Sequence, residues 1–224
     1  MKKILAILTL CLAALAAPAQ NAPYKFDFGG GIGMSSYLGE ANSTLFANPG
    51  FAAEAGVRYL PNVRWAIRGT LGYSSLSGST KNMDGYVPGE LPIEFKSSVI
   101  SLGATAEFNF FPYGIGETYK KLKRWTPYLS VGLGACMATY SGGHPVALTM
   151  PMGFGFKYKV KPRLNLYLEF SMTKAFGDKL DGPYLNDLAG IKTSFFKNTD
   201  WYSRLSVGIT YEFGERCETC HYVD

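Results

Sequence analysis

Residues 100–110, ISLGATAEFNF, alternate without a break. Ile100, Leu102, Ala104, Ala106, Phe108 and Phe110 share one side of an extended chain; Ser101, Gly103, Thr105, Glu107 and Asn109 share the other. A period of two is the mark of a β-strand, and a run of this length outlasts the usual strand of a soluble domain. The alternation recurs along the chain. In 24–38, Tyr24, Phe26, Phe28, Ile32, Met34 and Leu38 oppose Lys25, Asp27 and several glycines. In 51–59, Phe51, Val57 and Tyr59 oppose Glu54, Gly56 and Arg58; in 63–73, Val63, Trp65, Ile67, Leu71 and Tyr73 oppose Arg64, Arg68, Thr70 and Gly72. Segments 128–137, 150–158, 164–172 and 201–213 follow, with Leu133, Phe154, Leu168 and Ile209 on the apolar side and Cys136, Lys157, Glu169, Arg204 and Glu212 on the polar one.

These segments predict eight strands, and an even number is what a single-chain antiparallel outer-membrane barrel requires. A soluble sandwich or lipocalin-like barrel would hide the apolar face inside instead. The charges decide between them. Glu54, Arg58, Arg64, Arg68, Glu107, Lys157, Glu169, Arg204 and Glu212 all fall on the glycine-rich face, with both signs present. Glycines and opposite charges suit a narrow interior where ions neutralise one another, while the continuous apolar face suits lipid. The expected fold is all-β: an eight-stranded antiparallel transmembrane β-barrel of the outer membrane, its interior filled by an ionic network of those nine residues. Closure leaves no strand edge for lipid to strand unsatisfied.

Connections alternate in length. Leu60-Pro61-Asn62 and 159–163 read as tight turns; 41–50, 77–94, 139–148 and 174–200 are longer. Short turns belong to the periplasm and long loops to the outside. The connection 112–126 breaks the rule, being long, on the periplasmic side, and carrying Lys120, Lys121, Lys123 and Arg124. It reads equally as a solvated basic loop or a partner-binding surface.

The N-terminus supplies the address. Met1-Lys2-Lys3 is a basic n-region, 4–16 an apolar h-region too short to span a bilayer, and Ala17-Pro18-Ala19 a small-residue cleavage site. Residues 1–19 are read as a signal peptide, 20–213 as the barrel, and 214–224 as a periplasmic tail. Cys11 follows Leu10 rather than a small residue, which argues against lipidation. Removing Lys2 and Lys3 takes the basic count from 22 to 20 against 17 acidic residues, a net +3. No basic tract is long enough to make nucleic acid a partner. The glycine, tyrosine and phenylalanine content is barrel-like but is shared by soluble β-proteins.

Ser206-Val207-Gly208-Ile209-Thr210-Tyr211-Glu212-Phe213 matches the closing-strand signal for barrel assembly, an amphipathic strand ending in aromatics. Taken with SSYLGE (35–40), RWAIRGTLGY (64–73), FKSSVISLGATAEFNFFPY (95–113), TPYLSVGLG (126–134), MPMGFGFKYKV (150–160), NTDWYS (198–203) and a cysteine-bearing end after TYEFG, the chain resembles the PorG-like outer-membrane barrels of the type IX secretion system of Bacteroidetes. The resemblance spans most of the mature chain. It implies a non-enzymatic component that anchors a periplasmic ring, made of a lipoprotein and a soluble partner, to the outer membrane. It brings no catalytic residue.

Cys217-Glu218-Thr219-Cys220-His221 matches the C-x-x-C-H haem pattern. A haem needs a second axial ligand and an apolar pocket, yet the other histidine, His144, lies in a predicted outer loop. Zinc wants about four ligands, more than this tail supplies. No cofactor is expected. Two readings of Cys217 and Cys220 remain open: a local disulfide, or a covalent link to a periplasmic partner. Expected partners are outer-membrane lipids and the ring proteins, with no small-molecule substrate. An eight-stranded barrel is too narrow for a transport pore, and the absence of histidine from every predicted strand weighs against a membrane hydrolase. The competing function is a general structural or adhesive barrel acting through its outer loops.

Overall fold

The structure, a computed structural model, describes residues 22–38, 48–79, 94–115, 121–139, 143–176 and 201–216. The expected signal peptide and the residues from Cys217 onward lie outside them, as does Lys120. The described chain forms eight strands: β1 (Tyr24–Leu38), β2 (Gly50–Tyr59), β3 (Trp65–Ser79), β4 (Glu94–Asn109), β5 (Trp125–Thr139), β6 (Val146–Lys161), β7 (Leu164–Phe176) and β8 (Trp201–Glu215). Each pairs antiparallel with its sequence neighbours, and β8 returns to β1 to close the barrel. Closure runs from Tyr24↔Glu215 to Leu38↔Trp201. Gly214, at φ 72°, sits beside Lys25, between the in-register pairs Phe26↔Phe213 and Tyr24↔Glu215. That left-handed backbone is cheap only for glycine.

The faces follow the alternation. Phe28, Ile32, Phe51, Leu102, Leu133, Phe154 and Ile209 are exposed on the outside, and the charged partners point in. In water this exterior would be a large unfavourable apolar patch; against lipid it is the required surface. Aromatic rings gather near the ends of the strands that carry Tyr24 and Glu215. Phe26 contacts Tyr59 and Phe213 at ring separations of 5.5 and 5.6 Å, and Trp125 stacks on Phe156 at 5.5 Å. This is the belt expected at a membrane boundary. We call this the turn end and the opposite rim the loop end.

Several boundaries differ from the alternation. β3 runs on to Ser79, β4 begins at Glu94, β5 at Trp125 and β6 at Val146. β6 also continues through Lys161, so Lys159 is a strand residue and not part of a turn. Val63, expected on the lipid face, is buried in the bend before β3. The bend is set by Asn62, whose Oδ1 accepts from the backbone N–H groups of Arg64 and Trp65 at 2.9 and 2.7 Å.

The interior has two halves. Toward the loop end Tyr37, Leu76, Val99, Cys136, Ala138, Ala175 and Tyr202 form an apolar cluster. Toward the turn end the filling is ionic.

Candidate functional site

Five acidic and five basic side chains interlock inside the barrel. Glu107 is fully buried at the centre. Its carboxylate accepts from Arg58 Nε at 3.0 Å, lies 2.9 Å from Arg68 Nε, and accepts from Lys157 Nζ. Arg58 also reaches Asp27 at 3.3 Å, and Arg68 reaches Glu169 at 2.7 Å. Arg204 pairs with Glu54 at 2.8 Å, and Lys159 with Glu212 at 2.5 Å. Two tyrosines finish the acceptors: Tyr128 donates to Glu169, and Tyr167 donates to Glu54 at 2.7 Å. Asn165 donates to Glu212 at 3.0 Å and Lys157 to Asn109 at 3.3 Å. Buried ions are tolerated only when paired and hydrogen-bonded, and here each acid meets at least one cation.

The glycines make this possible. A Cβ on Gly208 would stand 2.4 Å from the Tyr167 ring, and one on Gly155 would stand 2.5 Å from the Tyr128 ring. Each ring therefore occupies the space over the glycine opposite it, and the hydroxyls reach Glu54 and Glu169.

Of the nine residues expected in the network, Glu54, Arg58, Arg68, Glu107, Lys157, Glu169, Arg204 and Glu212 point inward and meet. Arg64 does not. It has the inward parity but lies ahead of β3, in the bend that Asn62 sets, and its Nη1 donates to the Phe110 carbonyl at 3.1 Å. Asp27 and Lys159 are members that the sequence reading left out. Asp27 already lay on the polar face, and the continuing alternation of Lys157, Lys159 and Lys161 around Tyr158 and Val160 carries the signal for Lys159.

The spaces left inside are small. Next to Arg68, Ser101, Thr105 and Arg204 is a cavity of about 40 Å³; another of about 20 Å³ lies by Asp27, Tyr113 and Asn165. These admit a water or two. Thr70, Thr105 and Arg204 line the first, and their Oγ1, Oγ1 and Nε atoms are buried without hydrogen-bond partners, a polar lining suited to water.

At the turn end the connection between β4 and β5 folds back on the barrel. Lys123 bridges Tyr113, with Gly114 N–H donating to the Lys123 carbonyl at 3.0 Å and Lys123 N–H to the Pro112 carbonyl at 2.8 Å. Tyr113 enters the barrel mouth and donates to Asn165 Oδ1 at 2.8 Å. Burial pushes its phenol well above the usual range, so it stays a neutral donor. Lys121, Lys123 and Arg124 remain exposed. Lys123 Nζ sits 4.0 Å above the Phe111 ring and 5.6 Å from that of Trp125. Arg216, one residue before Cys217, donates to the carbonyls of Pro61 and Leu60 at 2.8 and 2.6 Å, fixing the chain as it leaves β8. Arg163 bonds Glu215 and the hydroxyls of Tyr24 and Tyr211. Among the described residues no cluster of three His, Cys, Asp or Glu side chains could hold a metal ion.

An exposed apolar wall, an aromatic belt and a closed ladder around paired charges define an eight-stranded barrel of the outer-membrane class. The chain belongs to a family described as Domain of unknown function (DUF6089), whose pattern matches residues 2–222. No curated protein matches it. Among solved structures it is similar to neisserial surface protein A (NspA), with 16% identity, a TM-score of 0.52, and coverage of 84% of this chain and 97% of that one. Ail, the attachment invasion locus protein of Yersinia pestis in complex with the heparin analogue sucrose octasulfate, matches at 13% identity and TM-score 0.49, covering 86% of this chain and 100% of that one. The outer membrane protein OprG from Pseudomonas aeruginosa matches at 9% identity and TM-score 0.49, covering 87% and 98%. At 16% identity the likeness to NspA speaks to fold alone.

Proposed function

We infer that this barrel is a non-enzymatic outer-membrane component of type IX protein secretion, and that its turn end faces the periplasm and anchors a ring built of a lipoprotein and a soluble partner. The observation that carries the reading is the charge of the turn-end rim. Its described basic residues are Lys25, Arg64, Lys121, Lys123, Arg124, Lys161, Arg163 and Arg216, against Glu215 as the acidic one. The chain leaves β8 at this same rim, where Arg216 is held by the β2–β3 turn. The cysteine pair of Cys217 and Cys220 follows at once in sequence. A basic rim with a tethered cysteine tail suits docking of an acidic partner surface, with electrostatics setting capture and a thiol available for a covalent link. The apolar plug and the balanced ionic filling fit an anchor better than a conduit. The sequence resemblance supplies the secretion system.

The test is a pull-down from detergent-solubilised outer membranes. This reading expects a periplasmic lipoprotein and a soluble partner to co-purify, with less recovered at raised salt, since exposed charges are screened over ~10 Å at 0.1 M. Recovery of surface ligands alone would favour the adhesive barrel.

A further inference from the structure

The basic rim is not uniform. Lys123 is folded down onto the aromatic belt, its ammonium over the Phe111 and Trp125 rings. Lys159 N–H donates to the Arg124 carbonyl at 2.7 Å, so residues 123–124 continue β5 alongside the end of β6. That places Lys123 and Arg124 beside the end of β6 at Lys161, all three exposed. On the barrel wall just inside them lie Trp125, Phe156 and Tyr158, with Trp125 paired to Tyr158 and stacked on Phe156. Among the described residues no acidic side chain pairs with Lys123, Arg124 or Lys161. Glu215, the described acid of this rim, is bound by Arg163.

We propose that this β5–β6 corner binds the phosphate headgroup of an anionic phospholipid, held by Lys123, Arg124 and Lys161 while an acyl chain lies along Trp125, Phe156 and Tyr158. At this corner the level of the cations favours lipid, which leaves Lys25, Arg64 and Lys121 on the rim for a protein partner. Aromatic belts sit at headgroup depth, and a lysine laid over belt rings presents its charge at that depth, on the side of the barrel that faces the bilayer. Each cation near an anionic membrane surface adds to the attraction, and the sum is sensitive to salt. The site would fix the height and rotation of the barrel in the leaflet. The inference is independent of the secretion reading, since it needs only a bilayer.

Native mass spectrometry of the mature chain tests it. Protein released from detergent containing phosphatidylglycerol or phosphatidylethanolamine with the same acyl chains should retain phosphatidylglycerol preferentially. Removing the charges together in Lys123→Gln, Arg124→Gln and Lys161→Gln should weaken that retention by about fivefold per charge, the equivalent of about 1 kcal/mol each. Lys25→Gln with Arg64→Gln, which removes two charges elsewhere on the rim, should leave it unchanged. Heat-modifiable migration checks that each variant folds; should the triple variant fail, Lys123→Gln alone reads out the same loss at about fivefold. Millimolar inorganic phosphate should not displace the lipid. Equal retention of the two lipids, a triple variant that behaves as wild type, equal loss in the Lys25 and Arg64 variant, or displacement by inorganic phosphate would overturn the proposal.

Discussion

Arg68 on β3 and Glu169 on β7 meet across the barrel, Nη2 lying 2.7 Å from Oε1. Their strands stand on opposite sides of the closed order, so the pair spans the interior. Glu107 from β4 and Arg58 from β2 complete a chain of ions that joins four strands. The cross-section at this level is filled by paired charge.

Glu107→Ala should therefore be costly. It leaves Arg58, Arg68 and Lys157 sharing fewer acids in a buried site, and breaking a buried pair costs about 3–5 kcal/mol. Urea unfolding in lipid vesicles should show a lowered midpoint, with Glu107→Gln milder because hydrogen bonding survives. A loss below about 1 kcal/mol for the alanine variant would mean that the network is not the structural centre.

Gly208→Ala should destabilise, since the new methyl would stand 2.4 Å from both the Gly30 carbonyl oxygen and the Tyr167 ring. Overpacking of this kind costs about 1–3 kcal/mol. Combining it with Tyr167→Ala should cost less than the sum of the single changes. Strict additivity in a double-mutant cycle would assign the cost to the Gly30 carbonyl and not to the ring.

The outer wall gives an independent check. Leu133 is 69% exposed near the middle of β5. Leu133→Arg should cost about 2–4 kcal/mol if it lies near the bilayer centre. A neutral result, with Thr105→Leu tolerated as a lipid-facing change would be, would reverse the two faces.

Both interior halves oppose a pore. Planar-bilayer recordings of the pure protein should show no stable conductance, because the apolar cluster around Tyr37, Leu76, Val99 and Tyr202 closes the loop end and ions fill the rest. A well-defined single-channel current sinks this claim.

The strand faces were legible because contrast is high where a wall separates lipid from buried charge. Ile100 and Leu102 alternate with Ser101 and Gly103, and nothing blurs the period. The strand ends were not, and the apolar cluster explains why. Near the loop end the interior is apolar too, so Val99 stands next to Ile100 and Cys136 next to Met137, and alternation loses its sign. At the start of β5, Pro127 lacks the N–H of a ladder residue, which made Trp125 and Thr126 resemble loop. Arg64 had the right parity but no strand beneath it. Tyr113 gave no signal: its place in the barrel mouth depends on the backbone pairing of Pro112 and Gly114 with Lys123, which no local pattern encodes.

The central claim is that the turn end is the docking face for a periplasmic assembly. In-cell photo-crosslinking tests it most directly, with a photoreactive residue placed at exposed Lys121 on the turn-end rim or at exposed His144 on the loop side. The account predicts adducts to a periplasmic lipoprotein from position 121 and none from position 144. Lipoprotein adducts from position 144 with none from position 121 would contradict it and move the functional surface to the outer loops.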